Sequence, residues 1–157
     1  MKSKLIIRLS NNLGNQMFIY ASAYAFSKKL DRELFIDTET AYKGNTIHKY
    51  DLDIFNFSSK KAPGNLMFLG TSGYLRRKLL KYLDNFKKYK NFYIEPKGIN
   101  KNTFFNKNAV TDNFKDCLFV EGHFETEKYF NDYKDNICKE FKFIDSDKFK
   151  NSPHWKF

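Results

Sequence analysis

Apolar residues along this 157-residue chain change their period several times, and each change marks an element. Lys4 to Leu9 is a short apolar run centred on β-branched Ile6 and Ile7, the pattern of a buried strand. Asn15 to Leu30 then places Met17, Tyr20, Ala21, Tyr24, Ala25 and Leu30 near helical spacing, with Phe18 and Phe26 beside them. Lys28-Lys29 suits the last turn of that helix, where the dipole is negative. Asp31-Arg32 turns the chain, and Leu34-Phe35-Ile36-Asp37 reads as a second buried strand. Strand, helix and strand in so short a span predict a βαβ unit and hence a parallel sheet.

Thr38 to Gly73 carries no sustained period. Its polar stretch Tyr42 to His48, and then Pro63-Gly64-Asn65, predict loops around short elements. Leu75, Leu79, Tyr82 or Leu83, Phe86 and Tyr89 make a helical apolar stripe, with Arg76, Arg77, Lys81, Lys87 and Lys88 around it. Such a stripe ordinarily faces a core and leaves the charges in water. Pro96-Lys97-Gly98 breaks the chain. CLFVEGHF, Cys117 to Phe124, predicts a strand ending at Gly122. Glu125 to Phe141 predicts a helix with Tyr129, Phe130, Tyr133, Ile137 and Phe141 on its apolar side. After Phe143 the sequence turns polar, and no internal repeat is visible.

Hydrophobic content of 41%, with 18% aromatic residues, is that of a folded domain, and the length suits one core better than two. The net charge is +10, and much of it is local. Arg76 to Lys107 holds ten basic residues against two acidic ones, Asp84 and Glu95. A basic helix over 74–90 could lie on an anionic membrane surface or be an ordinary solvated face. Nucleic acid is not an expected partner, because the aromatics are spread through the chain and no recognised module is present. Cys117 and Cys138 have no His or Cys partner at metal spacing and read as buried free thiols. His48 and His154 are isolated, so no metal site is expected. Arg8 interrupts Leu5-Ile6-Ile7, and no apolar run reaches membrane-spanning length. The expected location is the cytoplasm, with peripheral contact at the inner face of the cytoplasmic membrane as the variant.

The chemistry concentrates at LSNNLGNQ, Leu9 to Gln16. A strand that passes through a tight turn into a helix aims backbone N–H groups and a positive dipole end at one place, which suits a phosphate. Gly14 can take positive φ or admit a ligand closely, and Asn12, Asn15 and Gln16 add neutral donors and acceptors. The same residues are also ordinary turn and cap residues. A single Gly is a weak phosphate signature beside G-x-G-x-x-G.

LGNQMFIYASAYAFSKKL resembles the N-terminal signature of the bacterial α-1,2-fucosyltransferases, glycosyltransferase family 11, written G-G-L-G-N-Q-M-F-Q-Y-A. Two further stretches are similar to that family in the same order. HKYDLDIFNF, His48 to Phe57, looks like its Tyr-x-Leu-x-x-Phe-Asn block. FVEGHFETEKYFND, Phe119 to Asp132, looks like its G-Y-[FW]-Q-S-E-K-Y-F element. Asn11-Asn12 stands where the family has Gly-Gly, and Asn tolerates positive φ better than most residues. Ile19 replaces a Gln, and the third block reads His123-Phe124-Glu125-Thr126.

The resemblance implies an α/β fold, a Rossmann-like parallel sheet flanked by helices, as the N-terminal half of a GT-B enzyme. It implies inverting transfer of fucose from GDP-fucose to a galactose-terminated glycan, with no metal or other cofactor. In the family a paired-arginine motif, H-x-R-R-x-D-Y, grips the departing diphosphate. These 157 residues do not contain it, since Arg76-Arg77 follows Tyr74-Leu75. The expected organisation is therefore an acceptor-side domain over 1–143 and a linker or tail over 144–157, with the nucleotide-binding half absent. Such a half is expected to be inactive alone; a stranded, non-catalytic half-domain is the other reading.

Asn12, Gly14, Asn15 and Gln16 are the expected cleft residues at the carboxyl end of the first strand. His123, Glu125 and Glu127 follow the last strand. An inverting transferase needs a base for the acceptor hydroxyl, which a His or carboxylate can supply. Glu125 and Glu127 equally suit the first turn of a helix, whose dipole favours acids. Asp51 and Asp53 alternate with apolar residues as solvated positions would.

Overall fold

Leu5, Ile6 and Ile7 are each at most 2% exposed, as expected of a strand covered on both faces. The structure, a computed structural model, describes residues 2–44, 46–96 and 113–144. Its elements are β1 (Lys4–Arg8), α1 (Leu13–Lys29), β2 (Glu33–Asp37), β3 (Lys60–Lys61), α2 (Gly70–Asp84), β4 (Lys90–Ile94), β5 (Phe114–Glu121) and α3 (Lys134–Glu140). The strands form one sheet in the order β3-β2-β1-β5-β4, and every pair is parallel. This is the α/β, Rossmann-like arrangement that the first βαβ unit predicts. No described helix is long and apolar enough to cross a membrane.

Alternation along the strands divides the core. Leu5, Ile7, Leu34, Ile36, Leu118 and Val120 pack with α1 on one face. Ile6 and Phe35 lie on the other with Ala62, Cys117 and Phe119. On that second side Phe119 contacts Phe68 and Phe92 at ring-centre distances of 4.7 and 5.1 Å. The same alternation sends Arg8, Asp37 and Glu121 to the second face at the carboxyl ends of their strands.

α1 differs from the single apolar stripe expected. Ile19 through Ser27 are all buried, as is Gln16, because the sheet covers one side and aromatic segments wrap the other. Phe26 meets Phe124 and Tyr129 edge-on, at 5.6 and 5.8 Å. Tyr20 packs on Phe57 at 4.0 Å, and its hydroxyl donates to Glu140 Oε2 at 2.8 Å. A helix apolar all round is a buried helix.

α2 reverses the expected orientation. Its inward stripe is polar: Arg77 and Lys81 bond Glu121, and Asp84 accepts from the backbone N–H groups of Asn91 and Phe92. Leu75, Leu79, Tyr82 and Phe86 are instead 57–75% exposed. The first turn of α2 sits hard against the chain before it, where a Cβ on Gly73 would lie 2.4 Å from the Phe68 carbonyl carbon.

Two further expectations are corrected. Glu125 to Phe141 is not one helix. Short 3-10 turns at Glu127–Tyr129 and Asn131–Tyr133 precede the seven-residue α3. Thr126 caps the first turn and Phe130 leaves helical geometry, while Asn131 and Asp132 are residues whose side chains compete with helical bonding. Cys138 is exposed, because α3 buries only Ile137. Cys117 is half-buried, and that burial pushes its thiol pKa up. Next to the expected 1–143 boundary, the Ile144 N–H bonds the Ile54 carbonyl at 3.0 Å. The rest of the expected tail, with His154, lies outside the described residues, as do Lys97 and Gly98.

Candidate functional site

The turn after β1 is built by asparagines. Asn11 has φ 63°, the left-handed conformation that Asn tolerates. Asn12 is the N-cap of α1, and its side chain accepts from the Asn15 N–H at 3.2 Å. That leaves the N–H groups of Leu13 and Gly14 with no acceptor inside the helix. Gly14 is helical rather than left-handed. A Cβ there would meet only Asn12 Oδ1, at 3.9 Å, so the positive φ foreseen for Gly14 belongs to Asn11. Asn12 and Gly14 are exposed, and Asn15 is half-buried.

Gln16 has a different place from its neighbours. It is fully buried. Its amide donates to the carbonyls of Asn11 at 2.8 Å and Lys49 at 2.7 Å, while Oε1 accepts from the Asp51 N–H at 3.0 Å. It therefore holds the turn against the 49–51 segment from below. Asp51 lies 4.0 Å from Lys49, and Asp53 is exposed in a 3-10 turn.

The turn after β5 lies alongside. Glu95, just past β4, accepts through Oε2 from the N–H groups of His123 at 2.7 Å and Phe124 at 2.8 Å. This fixes Phe124 at φ 52°. Gly122 is required by close approach, because a Cβ would come within 2.5 Å of Glu95 Cβ. The Asn11 amide is 3.4 Å from His123 Nδ1, and Glu125 Oε1 is the same distance from that nitrogen. The imidazole is exposed, as are Glu125 and Glu127. Asn11, His123 and Glu125 thus form one polar group where β1 and β5 end side by side, and Glu127 stands on the following 3-10 turn.

A second charged group occupies the α2 side of the same edge. Arg8 donates from Nε and Nη2 to the side chain and carbonyl of Thr40, both at 3.1 Å. Buried Asp37 accepts from the N–H groups of Glu39 and Thr40 and from the Thr40 hydroxyl. Burial lowers the Arg8 pKa, and repulsion from Arg77 adds to it against the pull of Glu121 and Asp37. Burial raises that of Glu121, but bonds and charge from Arg77 and Lys81 outweigh it and hold the carboxyl below its ordinary value.

Asn11, Arg8, Glu95 and Glu121 are not among the residues the sequence picks out as candidates. Only the Asn-Asn pair before the helix signals any of them; the others need the strand order. No group of metal-ligating side chains occurs among the described residues.

The fold therefore defines the chain as an α/β protein with a Rossmann-like parallel sheet and polar turns at its carboxyl edge. No family model, curated protein or solved structure matches it.

Proposed function

We propose that this chain is the acceptor-side half of a GT-B α-1,2-fucosyltransferase, moving fucose from GDP-fucose to a β-galactoside of a surface glycan. The observation that carries the reading is the meeting of the three stretches similar to that family. Gln16 of the first bonds Lys49 and Asp51 of the second, and Asn11, just before the first, reaches His123 of the third. In the reaction, the acceptor hydroxyl gives its proton to a base as its oxygen bonds the anomeric carbon. The bond from that carbon to the diphosphate breaks, and GDP leaves with the electron pair. His123 is the candidate base. Whichever ring nitrogen is unprotonated carries the lone pair that takes the hydroxyl proton. Exposed Asn12 and Gly14, with half-buried Asn15, supply donors and room for the sugar or its phosphate.

The reading needs a donor half with the paired arginines, and the test supplies one. Residues 1–143 are joined to the C-terminal half of a fucosyltransferase carrying H-x-R-R-x-D-Y. The folded chimera is expected to transfer fucose, and the 157-residue chain to transfer none. His123→Ala is expected to lower kcat/KM by about 10²- to 10⁴-fold, the usual contribution of a general base. Asn15→Ala is expected to cost about 10- to 1000-fold. A folded but inactive chimera removes the fucosyltransferase reading, and an unaffected His123→Ala removes His123 as the base.

The outward row of α2 favours a second, compatible role. Leu75, Leu79, Tyr82 and Phe86 project into solvent between exposed Arg76, Lys78 and Lys88. This suits residues 74–90 to an anionic membrane surface. The chain should co-sediment with vesicles containing anionic lipid and not with zwitterionic ones. Tyr82→Glu should abolish this, and equal binding by that variant removes the role.

A further inference from the structure

The α2 side of the sheet edge borders a partly open cavity of about 310 Å³ whose lining includes Arg8, Lys43, Phe68, Gly70, Tyr74 and Arg77. We propose that it binds a phosphate-type dianion, held by Arg8, Lys43 and Arg77 and lying between β1 and the start of α2.

The charge of the lining favours an anion. Three cations, Arg8, Lys43 and Arg77, line the cavity, and two carboxylates, Asp37 and Glu121, act on Arg8 electrostatically. A cationic lining of this kind suits an anion such as a phosphate monoester. Neither carboxylate lines the cavity, and both are engaged elsewhere. Asp37 is held by the 39–40 turn, and Glu121 by Arg77 and Lys81.

The cations are held in position before a ligand arrives. Arg8 is fixed on Thr40 through Nε and Nη2. Arg77 is fixed on Glu121 through the same two atoms. Each guanidinium keeps its Nη1 group outside these bonds, and planar forks of this kind suit phosphate oxygens. The start of α2 adds to the field. Leu69 provides no side-chain cap, the first turn has no acidic residue, and a Cβ on Gly70 would meet open space. Burial is the main cause of the depressed Arg8 pKa, and repulsion from Arg77 adds to it.

Phe68 and Tyr74 extend the lining beyond the charged groups. The cavity therefore has room for a small body attached to the phosphate. Its position on the α2 face separates it from the Asn11–His123 group, so the proposal stands whether or not the chain is a fucosyltransferase.

Calorimetric titration of the full chain with inorganic phosphate and with a hexose 1-phosphate tests it. Saturable binding at one site is expected, tighter for the ester if the aromatic walls contribute and equal if free phosphate is the ligand. Exposed Lys43 can be changed without touching the core. Lys43→Gln should weaken binding about tenfold, and Arg8→Lys, which keeps the charge but loses the fork, should weaken it as well. Circular dichroism of each variant separates loss of binding from loss of fold. Absence of saturation with either probe overturns the proposal. So does an unchanged affinity in folded Lys43→Gln, or equal binding of chloride.

Discussion

Gln16 shows at the scale of one residue how a side chain can matter to a site without facing it. Its amide satisfies two carbonyls and one N–H that come from separate turns, inside a fully buried environment. Gln16→Leu keeps the volume and strands all three groups. An unsatisfied buried group costs about 1–3 kcal/mol, so the loss should be about 3 kcal/mol or more. Urea unfolding reads it as a lower midpoint at unchanged slope, and a loss below about 1 kcal/mol would contradict the clamp role. Glu121 gives a pH-dependent counterpart. Its folded carboxyl lies below the ordinary value of 4.5, so its contribution is complete above that value. It is lost as the pH falls through the lower folded value. Stability measured between about pH 6 and pH 3 should therefore drop more steeply for the parent than for Glu121→Gln. Parallel curves would sink this assignment. The distant partners, Lys49 and Asp51 for Gln16 and Arg77 and Lys81 for Glu121, are not legible from the sequence, because they lie far away along the chain. The Asn11-Asn12 turn is more legible, since cap and left-handed preferences act locally.

Elements show why periodicity can be read correctly and oriented wrongly. The apolar row of α2 has the helical spacing expected, yet Arg77, Lys81 and Asp84 take the inward side. Spacing defines a face but not what lies opposite it, and here the sheet end offers Glu121 and the Asn91-Phe92 backbone. The consequence is measurable. Leu79 is 57% exposed, so Leu79→Ala should change stability by no more than about 0.5 kcal/mol, where a buried leucine costs about 2–5. Thermal or urea unfolding decides it, and a loss above about 2 kcal/mol would return Leu79 to a core. α1 presents the reverse case. Its near-continuous apolar sequence admits a stripe, but only the wrapping aromatics reveal that both sides are covered. The helix expected over Glu125 to Phe141 fails for a local reason, since capping at Thr126 and the Asn131-Asp132 pair divide it.

For the whole molecule, the decisive feature is that β5 enters the sheet between β1 and β4. That insertion brings Asn11 to His123 and Arg77 to Glu121. The sequence predicts β1, α1, β2 and the core of β5, because each has its own pattern. It does not predict β4, whose short KNFYI follows directly on a basic helical stretch, nor the strand order, which depends on pairings made late in the chain. Arg32 fastens the inserted strand at the opposite end. Its guanidinium donates to the carbonyls of Lys115 at 2.6 Å, Asp116 at 3.1 Å and Phe114 at 3.4 Å, and to that of Lys4 at 3.4 Å. One side chain thus ties the start of β5 to β1 from the turn before β2. Removing it should loosen the pairing on which both polar groups depend, although neither contains Arg32. Hydrogen bonds to a charged group contribute about 1.5–3 kcal/mol each, and the long ones less, so Arg32→Ala should cost about 3 kcal/mol. Arg32→Lys should recover only part of this, because an ammonium cannot span three successive carbonyls as a planar fork does. Hydrogen exchange locates the effect: amides of β5 should lose protection before those of β1 and β2. Uniform loss of protection across the sheet would instead mean that Arg32 stabilises the fold generally and does not fasten β5.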